Sequence, residues 1–458
     1  MGRQFRVESV EPYIPKEITM FYSQIRLANR FVSAAMMVAA MFVSTAFSQG
    51  FDSIEKGRMK GILKIVKNEI KKNYYDPNFH GIDIEARFKT AEEKLSAATS
   101  TTQSLGIIAQ AVIDFNDSHL FLIPPSTGWK VDYGWRSTFF GDKCIITDVK
   151  PGSDADAKGI KRGDELISIG GFRVNRKEMW KVNYFYNTIS KRKGMSLTVL
   201  SPGAAEPRTL EIASELKQGP RVITFSTYFR FDDDFYNEEN DKHRFMKIGG
   251  INIWRMPGWD FDPNMVDSLM GRVNDGTSII MDLRGNGGGY VKTLEALAGH
   301  FVPKDVQIAE LKGRKKMEPQ KAKSKGESRY KGKLVVLIDS ESGSASEIFA
   351  RLVQLEKLGV VMGDVSAGAV MQSQTFDQEM GADNIVPFAI SVTNADVIMS
   401  DGKSLEHVGV TPDELIIPTA ADLAAGRDVV MARAIESLGG KVDPIEAGKW
   451  FPYYWKKG

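Results

Sequence analysis

The sequence from Gly332 to Ala350, GKLVVLIDSESGSASEIFA, decides the fold. Its apolar run from Leu334 to Ile338 is rich in β-branched residues, which predicts a strand buried on both faces. Small polar residues follow, and beyond them apolar residues return at helical spacing: Ile348, Phe349, Leu352, Val353 and Leu355. The stretch therefore predicts a buried strand, a tight turn and an amphipathic helix.

Serines cluster in this turn, where the helix begins. At a helix N-terminus, the helix dipole and the free backbone N–H groups favour a developing negative charge on oxygen. A serine placed there is a candidate nucleophile. Ser344 or Ser346 could instead be a simple N-cap, with Glu347 in the first turn of the helix. The stretch alone favours the cap, so the choice between a nucleophile and a cap depends on motifs elsewhere in the chain.

Strands and helices alternate on both sides of this stretch, across residues 222–435. The pattern predicts strands at 250–256 and 278–283 and helices at 263–272 and 290–301. Such alternation is typical of an α/β core with a mostly parallel sheet. The basic segment 312–333 is most simply a solvated loop or hairpin, and residues 436–458 are expected to form a C-terminal tail.

The N-terminus has the pattern of a secretory signal peptide. Arg26 and Arg30 precede an apolar run over residues 31–47, which ends in small residues before Gln49. We therefore expect residues 1–48 to be removed and the mature protein to be periplasmic or secreted. Because the run is near the length of a membrane span, an uncleaved anchor is the alternative.

Charge and composition exclude several classes of partner. Without residues 1–48, the chain keeps 55 basic and 55 acidic residues, because that segment carries five of the former and three of the latter. A neutral chain argues against nucleic acid as the main partner, and no stable membrane insertion is expected after cleavage. Cys144 is the single cysteine and lies in an apolar run, which favours a core residue over a nucleophile. The histidines lack the spacing of metal ligands, so neither metal nor cofactor is expected.

Two regions precede the α/β core. Residues 49–125 have a helical pattern that ends near the sequence Asp-Ser-His at 117–119. Residues 129–215 contain short strands between turns and the run VKPGSDADAKGIKRGDELISIGG at 149–171. That run closely resembles the PDZ-domain signature. The resemblance implies that an extended peptide adds to a sheet edge, with its carboxylate near Tyr133, Gly134 and Trp135, although these residues match the usual loop poorly.

A glycine-rich segment, Asp282 to Gly289 (DLRGNGGG), follows a predicted buried strand and opens a helix. A dinucleotide fingerprint would need glycine at Tyr290, so that assignment fails. What remains is a turn whose backbone N–H groups can approach an anion or an oxyanion closely.

Taken together, these motifs resemble the tail-specific or C-terminal processing protease family, the tricorn-protease-like serine peptidases. The resemblance covers roughly residues 55–435 and implies a ClpP/crotonase-like α/β core with a PDZ domain. It rests on the Asp-x-His end of the helical region, the PDZ run, Asp-Leu-Arg-x-Asn-x-Gly-Gly, Ser-x-Ser-Ala-Ser-Glu and Glu-x-x-Gly-Val-x-Pro-Asp. It implies that Ser344 is the nucleophile and that the Ala345 and Gly288 amides form the oxyanion hole.

The base is where this chain departs from many family members. They use a lysine, but Ala369 occupies that position, and Lys357 is the only lysine between Ser344 and Gln372. Lys357 is expected to be a surface residue in the middle of a helix.

The tricorn-like branch uses histidine instead, supported by a serine and a carboxylate. The matching residues are His119, Ser118 and Glu406. His407 is a competitor for the role of base, but on an extended chain it would face away from the site if Glu406 faces the site.

The sequence therefore predicts an exported serine endopeptidase that acts on unfolded or C-terminally exposed polypeptides, as a monomer or an oligomer. The alternative is a catalytically silent peptide- or ligand-binding protein that keeps the peptidase fold.

Overall fold

The computed structural model describes residues 53–126, 128–218, 238–381 and 385–455. The expected signal peptide at residues 1–48 lies outside this described part. Within it, no helix combines the length and the apolar character needed to cross a lipid bilayer. Residues from Lys56 onward form one compact unit.

The first described region is helical, as its periodicity predicts. Its elements are α1 (Ser53–Asn73), α2 (Ile84–Ala97), α3 (Thr101–Ile113) and the strand β1 (Phe121–Ile123). The side chains of Asp83 and Ser100 cap the second and third helices. Strand β1 pairs with the long strand Val386–Met399 of the core. The chain just before β1, which carries His119, is thereby fixed to the core.

The second region is a β-rich module with its own hydrophobic core. Its elements are β2 (Trp129–Asp132), β3 (Trp135–Phe140), β4 (Lys143–Val149), α4 (Asp154–Ala157), β5 (Glu165–Ile169), β6 (Phe172–Arg173), α5 (Met179–Tyr184), β7 (Gly194–Leu200), β8 (Arg208–Ala213) and β9 (Glu215–Gln218). The strand order is β3-β4-β5-β7-β8, with β6 beside β5 and a separate β2–β9 pair. Ile146, Leu166 and Leu197 are among its buried residues. Strand β3 is therefore an edge strand.

The third region contains the stretch from which the sequence analysis began. Its elements are α6 (Glu238–Asp241), β10 (Arg244–Ile248), β11 (Ile251–Arg255), α7 (Val266–Gly271), β12 (Ser278–Asp282), α8 (Val291–Ala298), β13 (Val306–Lys312), β14 (Gln320–Ala322), β15 (Lys333–Ile338), α9 (Ala345–Leu355), β16 (Val360–Gly363), β17 (Met371–Met380), β18 (Val386–Met399), β19 (Glu414–Leu415), α10 (Ala420–Ala424), α11 (Val429–Ser437) and α12 (Pro444–Ala447).

One sheet of this core is mostly parallel. Its order is β10-β11-β12-β15-β16-β19, and only the pairing of β10 with β11 is antiparallel. Successive residues of β15 face two different hydrophobic clusters: Val336 packs with residues of α8 and α9, and Val335 packs with residues of α11. The sheet is thus covered on both faces, as the apolar runs predict.

A second sheet makes the core mixed, which corrects the expectation of a mostly parallel core. It contains β1, β13, β14, β17 and β18, all paired antiparallel. The sequence gives little sign of this second sheet, because β17 has few buried residues and the strands beside it supply the apolar face. The basic segment 312–333 contains β14, which pairs with β13 in a hairpin. A loop or a hairpin was expected there.

The core also continues past residue 435. Ala447 is buried, and Trp450 and Phe451 pack against the cluster that contains Ile253 and Val335. The segment expected to be a tail therefore covers one face of the parallel sheet.

Candidate active site

Ser344 occupies a strained turn between β15 and α9. Its backbone has φ 51° and ψ −115°, a combination that costs free energy in a residue with a side chain. Its N–H donates to the carbonyl oxygen of Ala369 at 2.9 Å and to Glu347 Oε2 at 3.0 Å. These contacts hold the turn, so Ser344 takes the N-cap position while its hydroxyl is directed elsewhere.

The imidazole of His119 faces that hydroxyl. His119 Nε2 lies 3.3 Å from Ser344 Oγ. The His119 backbone is fixed at both ends, since its N–H donates to Asp117 Oδ1 and its carbonyl oxygen accepts from Ser391 Oγ. Asp117 is itself buried and accepts a hydrogen bond from Thr393 Oγ1 at 2.6 Å. The loop before β1 is therefore rigidly attached to β18.

Ser118 links the imidazole to a carboxylate. Its Oγ lies 2.8 Å from His119 Nδ1 and 2.9 Å from Glu406 Oε2. A hydroxyl has one proton, and an ionised carboxylate can only accept. Ser118 therefore donates to Glu406 and accepts from Nδ1–H. This leaves the Nε2 lone pair of His119 free to take the Ser344 proton.

Glu406 reaches His119 only through Ser118. Its carboxylate also accepts from the Ser118 N–H at 2.9 Å and from the Val370 N–H at 2.8 Å. No direct hydrogen bond joins Glu406 to the imidazole of His119 in the described structure. The sequence motifs pointed to these three residues but could not show their order along the chain of hydrogen bonds.

The expectation that His407 faces away from the site assumed an extended chain, and that assumption is wrong. His407 Nε2 lies 3.6 Å from Glu406 Oε1 and 2.8 Å from the carbonyl oxygen of Asn116. His407 has φ 61°, so the chain is not extended there and neighbouring side chains need not alternate. About half of the His407 side chain is exposed.

Burial shifts the pKa of both ionisable groups of this array. It lowers the pKa of His119, an effect that Asp117 partly opposes. It raises the pKa of Glu406, although the hydrogen bonds from Ser118 and Val370 and the charge of His407 act in the other direction. A neutral imidazole at neutral pH is the state that a general base needs.

The two predicted oxyanion donors, the N–H groups of Gly288 and Ala345, differ in whether another group already accepts their hydrogen bond. Gly288 lies against Ser344, because a Cβ placed on it would be 2.6 Å from Ser344 Cβ. Its N–H, however, donates to Asn286 Oδ1 at 3.0 Å. The Ala345 N–H makes no hydrogen bond to another described residue. Of the two expected amides, only that of Ala345 is thus free, because Asn286 accepts the hydrogen bond of the Gly288 N–H.

The remaining residues of the glycine-rich segment are structural. Asp282 is fully buried and pairs with Arg255 at 2.9 Å and Arg284 at 2.8 Å. Burial alone would raise the pKa of Asp282, but the two guanidinium groups lower it. Arg284 also binds both carboxylate oxygens of Asp428, at the start of α11. These ion pairs fix the start of the turn.

Glu347 has a larger role than the sequence analysis gave it. Its fully buried carboxylate accepts from Ser366 Oγ at 2.6 Å, from the amides of Gly368 and Ala369, and from the Ser344 amide. Burial raises its pKa to about 7 against these four donors. Glu347 thus ties the nucleophile to residues 366–369. The sequence signal was the Glu three residues after Ser344, which a capping box also explains.

The two positions considered for a lysine base, Ala369 and Lys357, agree with a site that uses no such base. Ala369 contacts Ser344 through its backbone carbonyl oxygen. Lys357 is exposed and lies beyond the end of α9, with φ 54°, so the expectation that it is mid-helix is wrong. It borders the amino ends of β15 and β16, whereas Ser344 follows the carboxyl end of β15.

The loop before β3 is occupied by its own side chains. Tyr133 is buried and donates to the carbonyl oxygen of Tyr186 at 2.9 Å. The Gly134 N–H donates to Asp132 Oδ1 at 2.9 Å, and Trp135 is partly buried. The Gly134 amide, expected to bind a terminal carboxylate, therefore already holds a carboxylate of this chain.

The far end of β3 contacts the core. The carbonyl oxygen of Phe139 accepts from Ser340 Oγ at 2.8 Å. Asp364, which follows β16, binds the Gly141 amide and Arg176, each at 2.8 Å. The edge strand of the module thus ends beside the turn that carries Ser344.

Other chemistries have little support in the described residues. They contain no group of three or more His, Cys, Asp or Glu side chains arranged to hold a metal ion. Cys144 is buried, and burial raises the pKa of its thiol to about 12. A thiol with that pKa is a poor nucleophile at neutral pH.

Comparison with known proteins agrees with this geometry. Residues 247–416 match the model of peptidase family S41. The tail-specific protease of Haemophilus influenzae is 26% identical over 284 residues, and the carboxy-terminal processing protease CtpB of Bacillus subtilis is 25% identical over 288 residues.

The extent of these similarities differs between proteins. Each of those two alignments covers 59% of this chain, but only 38% of the first protein and 52% of the second. The crystal structure of mature CPAF aligns with a TM-score of 0.60 at 14% identity, over 81% of this chain and 95% of that chain. At this identity the structural match shows a shared fold.

Proposed function

We propose that this chain is an exported serine endopeptidase that hydrolyses peptide bonds of unfolded or C-terminally exposed proteins. Ser344 is the nucleophile, His119 the base, and Ser118 and Glu406 hold the imidazole in its reactive tautomer. The observation that carries the proposal is the position of Ser118 Oγ, 2.8 Å from His119 Nδ1 and 2.9 Å from Glu406 Oε2. That arrangement directs an unprotonated Nε2 at the serine.

The reaction follows from these positions. Ser344 Oγ attacks the peptide carbonyl carbon while its proton passes to His119 Nε2, and the C=O electron pair moves onto oxygen. The Ala345 N–H stabilises that oxyanion at the N-terminus of α9. The imidazolium is stabilised through Ser118 by Glu406, and it then protonates the leaving amine. Water repeats the sequence on the acyl-enzyme and releases the acid.

Loss of proteolysis in Ser344→Ala is the simplest test. We expect wild-type protein to cleave an unfolded substrate such as reduced, alkylated casein. Ser344→Ala should lose this activity and melt at an unchanged temperature. Ser328→Ala, an exposed serine in a different part of the core, is the control and should stay active. Cleavage by Ser344→Ala at the wild-type rate would reject the mechanism.

A catalytically silent binding protein is the second candidate, and one observation favours it. The Gly288 amide is engaged by Asn286, which leaves the oxyanion hole with one free donor. A serine-reactive fluorophosphonate separates the two functions, because labelling needs an activated nucleophile. Labelling of Ser344 supports the peptidase, and its absence in folded protein supports the binding protein.

We also propose that the module at residues 129–215 is a PDZ domain that helps to bind substrate. A peptide added antiparallel to β3 would end near Trp135, and its preceding residues would extend back towards Ser340, four residues before Ser344. The Asp132–Gly134 hydrogen bond argues that its terminal carboxylate is not bound in the usual way. A ClpP/crotonase-like relationship of the core and export through residues 1–48 belong to the same proposal.

A further inference from the structure

Asp260 lies beside the glycine-rich turn, on the segment that supports the nucleophile. Trp259, its neighbour, is fully buried and donates from Nε1 to Ser346 Oγ at 2.9 Å. The Trp259 N–H also donates to the carbonyl oxygen of Gly288 at 2.9 Å. The segment is therefore held in place, and Asp260, whose backbone is part of it, is exposed.

The Asp260 carboxylate and Ser344 lie against neighbouring residues of the glycine-rich turn. A Cβ on Gly289 would lie 2.7 Å from Asp260 Oδ1, and a Cβ on Gly288 would lie 2.6 Å from Ser344 Cβ. The carboxylate and the nucleophile thus flank consecutive residues, whose Cα atoms are about 3.8 Å apart. The carboxylate and Ser344 are therefore at most about 12 Å apart, a span that an extended substrate crosses in three to four residues.

This carboxylate has no partner in the described structure. It accepts no hydrogen bond and forms no ion pair there. Burial alone raises its pKa, and no neighbouring charge contributes. An exposed carboxylate that has no counter-ion among the described residues is available to bind a cation from a ligand.

An exposed aromatic residue lies on the same part of the backbone. Tyr290 follows Gly289 directly and is 59% exposed. Its N–H donates to the carbonyl oxygen of Trp259 at 3.4 Å, which places its backbone beside the Asp260 segment. A carboxylate next to an aromatic face is the combination that binds ammonium and guanidinium groups.

We propose that Asp260 and Tyr290 form a cation-binding subsite of the candidate active site, which selects substrates with a positively charged nitrogen within a few residues of the scissile bond. The cation is a lysine or arginine side chain or the free amino terminus of a peptide. This inference rests on the proposed peptidase function. In that function, Asp260 and Tyr290 would determine which substrates are cleaved.

Cleavage-site profiling by mass spectrometry tests the subsite. A proteome-derived peptide library is digested with wild-type protein and with Asp260→Asn, Asp260→Lys, Asp260→Glu and Tyr290→Leu. Wild type should prefer Lys or Arg at one position within a few residues of the scissile bond. Asp260→Asn should lower the ratio of kcat/KM for Lys against norleucine there by about 10- to 100-fold. Asp260→Lys should prefer Asp or Glu, Asp260→Glu should keep part of the basic preference, and Tyr290→Leu should weaken it.

Controls separate this inference from the proposed function. Asp377→Asn changes another exposed carboxyl, on β17, and should leave the preference unchanged. Matched peptides with free and acetylated amino termini distinguish the two sources of the cation. If wild type cleaves peptides without a preference for a cation, or if Asp260→Asn keeps it, the subsite is refuted while the peptidase stands. If wild type cleaves nothing and is not labelled by fluorophosphonate, both fail.

Discussion

Ser118 has a single hydroxyl proton, and the direction in which it points sets the tautomer of His119. Glu406, when ionised, takes that proton, which leaves Nδ1–H as the donor to Ser118. Sequence motifs pointed to the serine, the histidine and the carboxylate. They could not show that the carboxylate acts through Ser118, because that order depends on how the loop before β1 meets the loop after β18.

Replacing members of this chain of hydrogen bonds should have graded effects. Glu406→Gln presents an amide N–H to Ser118, which can reverse the hydroxyl and place the His119 proton on Nε2. We expect kcat to fall on the order of 10³–10⁴-fold. Ser118→Ala removes the link without imposing the wrong tautomer and should cost less, about 10²-fold. His407→Ala should be nearly silent. Steady-state proteolysis with thermal melting of each variant checks this order, and a larger loss in Ser118→Ala would contradict it.

The pH profile should show a histidine whose pKa is lowered. Because burial lowers the pKa of His119, the neutral base persists below the ordinary value of 6.5. The rate kcat/KM should rise with pH through a midpoint below 6.5 and level off before neutrality. Protonation of Glu406 at low pH reverses the Ser118 hydrogen bond and adds to the same acidic limb. A midpoint well above pH 7 would instead indicate a lysine base.

At the scale of single elements, the turn between β15 and α9 depends on Glu347. The sequence predicted the strand, the turn and the helix, and all three are present. It did not predict that the glutamate would be buried and bound to residues 366–369, because such contacts come from the next strand connection. The antiparallel sheet escaped prediction for a related reason. Strand β18 is almost wholly buried, but β17 beside it is mostly polar and gave no clear signal.

Glu347→Gln should change how stability depends on pH. The folded pKa of about 7 lies above the ordinary 4.5. The contribution of this group to stability is therefore complete below pH 4.5 and is lost as pH rises through 7. Relative to wild type, the variant should gain on the order of 3 kcal/mol between pH 4.5 and pH 8. Urea denaturation at several pH values measures this gain.

A surface change serves as its control. Glu379→Gln, on the exposed part of β17, should follow the wild-type curve. A Glu347→Gln curve parallel to wild type would mean that the glutamate is ionised throughout this range. Glu347→Gln should also lower kcat, because its amide nitrogen cannot accept from the amides of Ser344 and Ala369.

At the scale of the whole molecule, the module and the core meet beside the site. Asp364 is 3% exposed and joins Arg176 and the Gly141 amide of the module to the core. The sequence predicted a separate domain from its signature, but nothing in the signature indicated which surface would contact the core. That information lies in residues on both sides of the contact.

Asp132→Ala should make the loop before β3 a better binder of free C-termini. The change frees the Gly134 amide and removes a negative charge from the place where a terminal carboxylate would lie. We expect cleavage of substrates with a free C-terminus to improve several-fold relative to the same substrates with an amidated C-terminus. Asp148→Ala, on the neighbouring strand β4, is the control. Equal effects on both substrate types would mean that this loop does not bind a C-terminus.

The most direct test of the His119 mechanism is the rate at which a fluorophosphonate labels Ser344, measured against pH for wild type, His119→Ala and Lys357→Ala. We predict that the wild-type rate rises with pH through an ionisation below 6.5, that Lys357→Ala follows the same curve, and that His119→Ala is slower by at least about 10³-fold at every pH. Wild-type labelling in His119→Ala together with a loss in Lys357→Ala would contradict the account and restore a lysine base.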